Sequence, residues 1–152
     1  METRLASSED MNAIGRIAGK TELFPPEMLP EMASDFLNNS KSNEIWLVCE
    51  DNNEVIGFCY TVPEELTDGT WNMLALAVDP ASQGSGAGSA IVSELERILS
   101  NRKQRLLIVD TSGTDAFSLT REFYSKNEYE EEARIRDYWA ANDDKITFRK
   151  AL

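Results

Sequence analysis

Gln83-Gly84-Ser85-Gly86-Ala87-Gly88-Ser89 sets a glycine-rich turn between an apolar run, Trp71 to Val78, and an amphipathic one, Gly86 to Ser100. A strand that ends, turns through glycines and starts a helix leaves backbone N–H groups without partners, all aimed at one point. Orphan amides and the helix dipole both favour negative charge there. Glycine also lets a main chain approach a phosphate closely. The chemistry expected of this stretch is capture of a pyrophosphate. The alternative is a strand–helix connection that is merely rich in small residues.

Other phosphate-binding patterns do not fit. In G-x-G-x-x-G, counting from Gly84 ends on Ser89 and counting from Gly86 ends on Ile91. No Gly-Lys-Ser or Gly-Lys-Thr occurs, so the nucleoside-triphosphate loop is absent. The chain has no histidine, which removes the Ser-His-Asp triad, the Cys-His dyad and the H-E-x-x-H zinc site. Proton transfer must then use carboxylates, tyrosine, lysine, cysteine or water. Cys49 and Cys59 lie in successive apolar runs and read as buried thiols, not a disulfide; no metal site is expected from so few ligands.

The elements that must position the loop can be read from periodicity. Thr3 to Ala6 reads as a short edge strand, and Ser7-Ser8-Glu9-Asp10 as a helix start, with Ile14, Ile17 and Ala18 at helical spacing. Pro25-Pro26 opens a second helix striped by Met28, Leu29, Met32, Phe36 and Leu37. Residues 44–50 and 54–62 read as a hairpin around Asp51-Asn52-Asn53. A strand over 71–79 precedes the glycine loop, and the helix after it carries Ile91, Leu95, Ile98 and Leu99 on one face. A buried strand at 105–110, a helix over 115–126 and strands at 130–139 and 145–150 complete the order.

The crossover from 71 to 110 implies a parallel pair within an otherwise antiparallel sheet. The fold expected is a single α/β (α+β) domain over 1–152, with a mixed, mostly antiparallel sheet of about seven strands flanked by about four helices. Such sheets bind ligands where connectivity changes at strand ends.

At 152 residues the chain can bury a substantial core, and its formal net charge is -12. So acidic a surface is a poor match for nucleic acid, which needs basic groups to displace counterions. Most of these acids read as solvating ones, though an acidic cleft would also favour an amine. No segment is long and apolar enough for a bilayer and no secretory signal pattern opens the chain, so no membrane partner and a cytoplasmic location are expected.

Ala75-Leu76-Ala77-Val78-Asp79-Pro80 followed by Gln83-x-x-Gly86-x-Gly88 resembles the coenzyme A loop of the GNAT N-acetyltransferases. The element order is similar as well, so the likeness spans nearly the whole chain. Arg4-Leu5-Ala6 before Asp10 resembles the family's opening strand and helix start. Phe123-Tyr124-Ser125-Lys126 resembles its Phe-Tyr-x-Lys helix segment. Two departures stand out: Glu128 replaces the glycine that usually follows this segment, and Phe117 replaces an asparagine that contacts the cofactor.

The resemblance implies transfer of acetyl from acetyl-CoA to a small-molecule or peptide amine, by direct attack with both substrates bound. It implies that amides of Gln83, Gly84, Ser85, Gly86, Ala87, Gly88 and Ser89 hold the pyrophosphate. Leu76, Ala77 and Val78 would pair with the pantetheine arm like an added strand, with an amide near Ala77 polarising the thioester carbonyl. Tyr124 would protonate the departing thiolate, since a phenol can donate yet stays protonated at neutral pH. Periodicity alone reads Tyr124 as a core residue beside Phe123.

Where some members carry a glutamate base, this chain has Asn72, which cannot accept a proton at neutral pH. Asn72 orients a water, or the base lies elsewhere, or the amine arrives neutral. Glu64, Glu65 and Asp68 are candidates near the acceptor end, and Asp110 reads as a capping or positioning residue. Phe24, Trp71, Tyr138 and Trp139 are candidate acceptor-pocket aromatics. Pairing of GNAT-like domains makes a homodimer an open expectation. A non-catalytic acyl-CoA sensor or scaffold is the alternative function.

Overall fold

The computed structural model describes residues 1–152. Its strands are β1 (Glu2–Leu5), β2 (Ile45–Asp51), β3 (Glu54–Pro63), β4 (Thr70–Val78), β5 (Leu106–Ser112), β6 (Glu130–Ala140) and β7 (Asp143–Ala151). Its helices are α1 (Met11–Lys20), α2 (Leu29–Asn38), α3 (Ala87–Asn101) and α4 (Ser118–Lys126). The seven strands form one sheet in the order β1-β2-β3-β4-β5-β7-β6. Only β4 and β5 run parallel.

The sheet carries a core on each face. On one, Ile14, Ile17, Ala18, Leu29 and Ala33 of α1 and α2 cover Trp46, Val48, Phe58, Tyr60, Ala75 and Ala77. On the other, Ile91, Leu95 and Leu99 of α3 and Tyr124 of α4 cover Leu47, Cys59, Trp71, Met73, Leu107, Val109 and Phe148. Central strands are therefore apolar on both sides, which fits the unbroken apolar runs of β2 and β3. Both cysteines are free and buried.

In β4, Trp71 and Met73 face α3, whereas Ala75 and Ala77 face α1. Equal parity should mean equal face. The reversal comes from a bulge: Thr61 pairs Met73 and Tyr60 pairs Ala75, leaving Leu74 as the extra residue. This corrects the placement of Trp71 as an acceptor-pocket aromatic. It is 5% exposed in the α3-side core, and its Nε1 donates to Gln104 Oε1 at 2.9 Å.

Three helices end alike. After α1 the amides of Glu22 and Leu23 return to Gly19 O and Ala18 O. After α3 those of Lys103 and Gln104 return to Ser100 O and Leu99 O, and after α4 those of Glu128 and Tyr129 return to Ser125 O and Tyr124 O. Each is a Schellman closure, which needs a left-handed residue just past the helix. That residue is Glu22 (φ 55), Lys103 (φ 59) or Glu128 (φ 70), never glycine. The Pro25-Pro26 signal yields a single 3-10 turn, Pro26–Met28, before α2 begins.

Candidate active site

β4 and β5 pair only at Thr70–Leu106, Trp71–Leu107 and Asn72–Ile108. Beyond that point they part, and both strands continue, β4 to Val78 and β5 to Ser112. A cavity of about 570 Å³ occupies the opening and runs to the glycine loop. The amide of Asp79 donates to Ile56 O at 2.7 Å, so it points at β3. Strand alternation turns the amides of Ala77 and Ala75 the same way and those of Val78 and Leu76 into the opening. The sequence reading puts a carbonyl-polarising donor near Ala77. The ladder commits the Ala77 amide to β3, and Leu76 and Val78 present the free edge.

At the loop, Asp79 accepts from the Ala81 amide at 3.0 Å and from Lys20 Nζ at 3.2 Å, fixing the 3-10 turn Pro80–Ser82 against α1. Gln83 Nε2 reaches back to Val78 O at 3.3 Å. The amides of Gln83, Gly84, Gly86, Gly88 and Ser89 donate to no protein acceptor. Ser85 departs from the expected set: its amide donates to Ser82 O at 3.2 Å, and it does not line the cavity. The Ala87 amide makes a long contact of 3.4 Å to Ser85 Oγ.

Gly84 (φ 82) and Gly86 (φ 93) are left-handed, and a Cβ on either would meet nothing within 4 Å. Their glycines therefore serve backbone conformation and open approach rather than packing. Gly88 differs: a Cβ there would sit 3.1 Å from the Phe123 ring, so its smallness seats α3 against α4. The 15-residue α3 starts on Gly86 with no side-chain cap and no acid in its first turn. Such an uncapped positive end, with five idle amides beside an open strand edge, fits a pyrophosphate and pantetheine arm. Leu76, Ala77, Val78, Gln83, Gly84, Gly86, Ala87, Gly88, Ser89 and Tyr124 all line the cavity.

Tyr124 is 4% exposed, packed among Phe123, Tyr129 and Phe148 at ring centroids of 5.3, 5.8 and 5.5 Å. Its hydroxyl makes no hydrogen bond within the protein, although the side chain lines the cavity. Burial, reinforced by Cys59, holds its pKa well above the ordinary phenol range, so the proton stays on. Arg121, one turn earlier, donates to Ser112 O and Thr114 O at 2.7 Å each, locking α4 to the end of β5.

Asn72 lies outside the cavity lining, 7% exposed on the α1 side of the sheet. Its Nδ2 donates to Glu64 Oε1 at 2.9 Å, and its Oδ1 is buried without a donor. Flipping the amide would set two acceptors against each other, so chemistry fixes this orientation. On the same face Tyr60 donates to Glu44 Oε1 at 3.0 Å, while Glu44 Oε2 and Trp46 Nε1 are buried without partners. The sequence reading missed the Glu44–Tyr60 pair; the only signal was its place in two adjoining apolar strands. Trp139 and Tyr138 are half exposed, and Trp139 Nε1 donates to Thr111 O at 3.2 Å. Phe24 packs edge-on to Phe58 at 6.2 Å. Phe117, in place of the asparagine, lines the cavity at 43% exposure.

A parallel strand pair opened beside a row of unpaired amides, within a mixed seven-stranded sheet, is an arrangement suited to an acyl-coenzyme A N-acyltransferase. The family description "Acetyltransferase (GNAT) domain" matches residues 42–131, more than half of the chain, and the protein belongs to the GNAT acetyltransferase family. A mycothiol acetyltransferase of Amycolatopsis mediterranei is 27% identical over 121 residues, covering 73% of this chain. The match spans only 40% of that relative's length.

A crystal structure of a GNAT-family protein from Desulfovibrio desulfuricans superposes with a TM-score of 0.90 at 24% identity, covering 99% of this chain and 98% of that one. An aminoglycoside 6'-N-acetyltransferase complexed with coenzyme A gives 0.80 at 17% identity, with 99% and 97% covered. A ribosomal-protein-alanine N-acetyltransferase from Brucella melitensis gives 0.82 at 18%, with 100% of both chains covered. These structural likenesses concern the fold. No helix is long and apolar enough to cross a membrane.

Proposed function

We propose that residues 1–152 act as one N-acetyltransferase domain, moving an acetyl group from acetyl-CoA to the amine of a small molecule or peptide. Attack is direct, with both substrates bound. The observation that carries this reading is the row of five unpaired amides at Gln83, Gly84, Gly86, Gly88 and Ser89, next to the open edge of β4.

When bound, acetyl-CoA supplies an activated thioester. The free amides of Gln83, Gly84, Gly86, Gly88 and Ser89 grip its diphosphate, and the free edge at Leu76 and Val78 aligns the arm along β4. A donor on that edge stabilises charge developing on the carbonyl oxygen, an effect typically worth about 3–4 kcal/mol. Tyr124 gives its proton to the departing sulfur, its hydroxyl having no competing partner. Asn72, clamped by Glu64 at the last rung that pairs β4 with β5, acts by positioning that end of the fork rather than by touching the acceptor. A homodimer belongs to the same reading, with edge strand β6, exposed at all 11 residues, as the surface a second copy adds to.

The test is thiol release from acetyl-CoA across a panel of primary amines: an aminosugar, a peptide α-amine, a lysine peptide and a diamine. Amine-dependent release supports acetyl transfer. Saturable binding with no amine-dependent release would replace it with a non-catalytic acyl-CoA sensor.

A further inference from the structure

Asp110 is the only carboxylate that lines the cavity. It lies on β5, where side chains alternate between faces. Val109 packs on the α3 side with Tyr124, so Asp110 projects to the α1 side of the same opening. The cavity thus has a phenol on one face and a carboxylate on the other. Asp110 Oδ1 accepts from Thr147 Oγ1 at 2.6 Å, across a register that pairs the two residues. Its Oδ2 accepts nothing from the protein.

We infer that Asp110 is the general base of this site and Thr147 its positioning residue. The inference rests on the acetyl-transfer reading. Thr147 fixes the carboxylate through one oxygen and leaves the other for the incoming amine. As the amine nitrogen bonds to the acetyl carbon, Asp110 takes a proton from that nitrogen. The carbon–sulfur bond then breaks with its electron pair going to sulfur, and Tyr124 supplies sulfur with a proton. Proton exchange with solvent resets both side chains. Amine and acetyl thioester become amide and thiol, with atoms and charge balanced. Placing base and acid on opposite faces lets the nucleophile enter from one side of the sheet while the thiol leaves on the other. It also explains how a chain with Asn72 where related enzymes carry a glutamate retains a base: the carboxylate has moved one strand over.

The experiment compares Asp110→Asn, Thr147→Val and Thr147→Ser with wild type, using the most active amine of the panel, with acetyl-CoA affinity by calorimetry and thermal melting alongside. Asparagine keeps an acceptor for Thr147, so Asp110→Asn should lose about 100-fold or more in kcat/KM, while acetyl-CoA affinity stays within about twofold. Thr147→Val should lose about 10-fold in kcat, and Thr147→Ser, which restores the hydroxyl, should recover to within about threefold of wild type. An Asp110→Asn enzyme retaining a third of wild-type kcat/KM would overturn the assignment. Should that variant fail to fold, equal activity of Thr147→Val and wild type would overturn it instead. Wild-type protein inactive on every amine would bring down the acetyl-transfer reading and this inference together; active wild type beside active Asp110→Asn would bring down this inference alone.

Discussion

Replacing Tyr124 by phenylalanine removes one oxygen from a side chain that lines the cavity. The hydroxyl bonds no protein group, so its loss strands no partner. The ring contacts with Phe123, Tyr129 and Phe148 survive unchanged. Stability should therefore move by no more than about 0.5 kcal/mol. Catalysis should respond differently. General acids contribute about 10²–10⁴-fold, and a thiol, with a pKa near about 8.5, is a fair leaving group unaided. The low end applies: about 100-fold in kcat, or about 2.7 kcal/mol, with acetyl-CoA affinity within about twofold.

Thiol release followed with a chromogenic disulfide measures this cleanly. The protein's own thiols are buried, and burial pushes Cys59 up to about 12, so neither should react until the chain unfolds. A Tyr124→Phe enzyme with kcat within about twofold of wild type would refute the acid assignment. A large drop accompanied by a lowered melting temperature would refute the packing argument.

Further outcomes follow from the same geometry. Lys103→Gly with Glu128→Gly relieves two left-handed residues, each by about 0.5–1 kcal/mol after glycine's entropic cost; differential scanning calorimetry should show a melting temperature raised by roughly 2–8 °C, and a fall would contradict the strain. Gly86→Val puts a β-branched residue at φ 93 and a methyl group in open approach, so coenzyme A affinity should drop at least about tenfold by calorimetry. Asp10 accepts from Arg4 at 2.8 and 2.9 Å and from the Ser7 amide at 2.8 Å. The Arg4 guanidinium, first among its partners, holds the Asp10 carboxyl below the usual range. A depressed carboxylate stabilises the fold fully above its unfolded pKa of about 3.9 and loses that contribution as pH falls through its folded value. Asp10→Asn should cost about 1–2 kcal/mol at pH 7, discounted because Arg4 is 35% exposed, and the gap to wild type should close as pH falls below the unfolded carboxyl pKa of about 3.9. A gap that persists in acid would contradict the ion pair's role.

The glycine loop, the element order and the two-faced sheet were legible because each rests on local pattern: apolar runs, helical stripes and turn residues. The ends expected at Ser100 and 126 fall within a residue of those observed, but the way the chain closes each helix was not legible. Glu22, Lys103 and Glu128 occupy positions that glycine normally marks; only Glu128 carried a signal, standing where the resembling segment has a glycine, and nothing in the composition announces a left-handed Glu22 or Lys103. Trp71 was misplaced because the Leu74 bulge reverses which face each β4 side chain takes, and a one-residue slip has no signature in an apolar run. Ser85 was assigned with its neighbours, yet its amide closes a turn onto Ser82. In the sequence Asp110 reads only as a capping or positioning residue at a strand end. Its partner Thr147 lies 37 residues on, and such non-local pairing is invisible until the sheet order is known.

Amide chemical shifts of isotopically labelled protein during titration with coenzyme A test the central claim most directly, because they report each backbone N–H separately. The account predicts saturable shifts at Gln83, Gly84, Gly86, Gly88 and Ser89, with Leu76 and Val78 following, while the ladder-bound amides of Ala75 and Ala77 move far less. Saturation that leaves the loop amides unmoved and shifts another part of the sheet would contradict it.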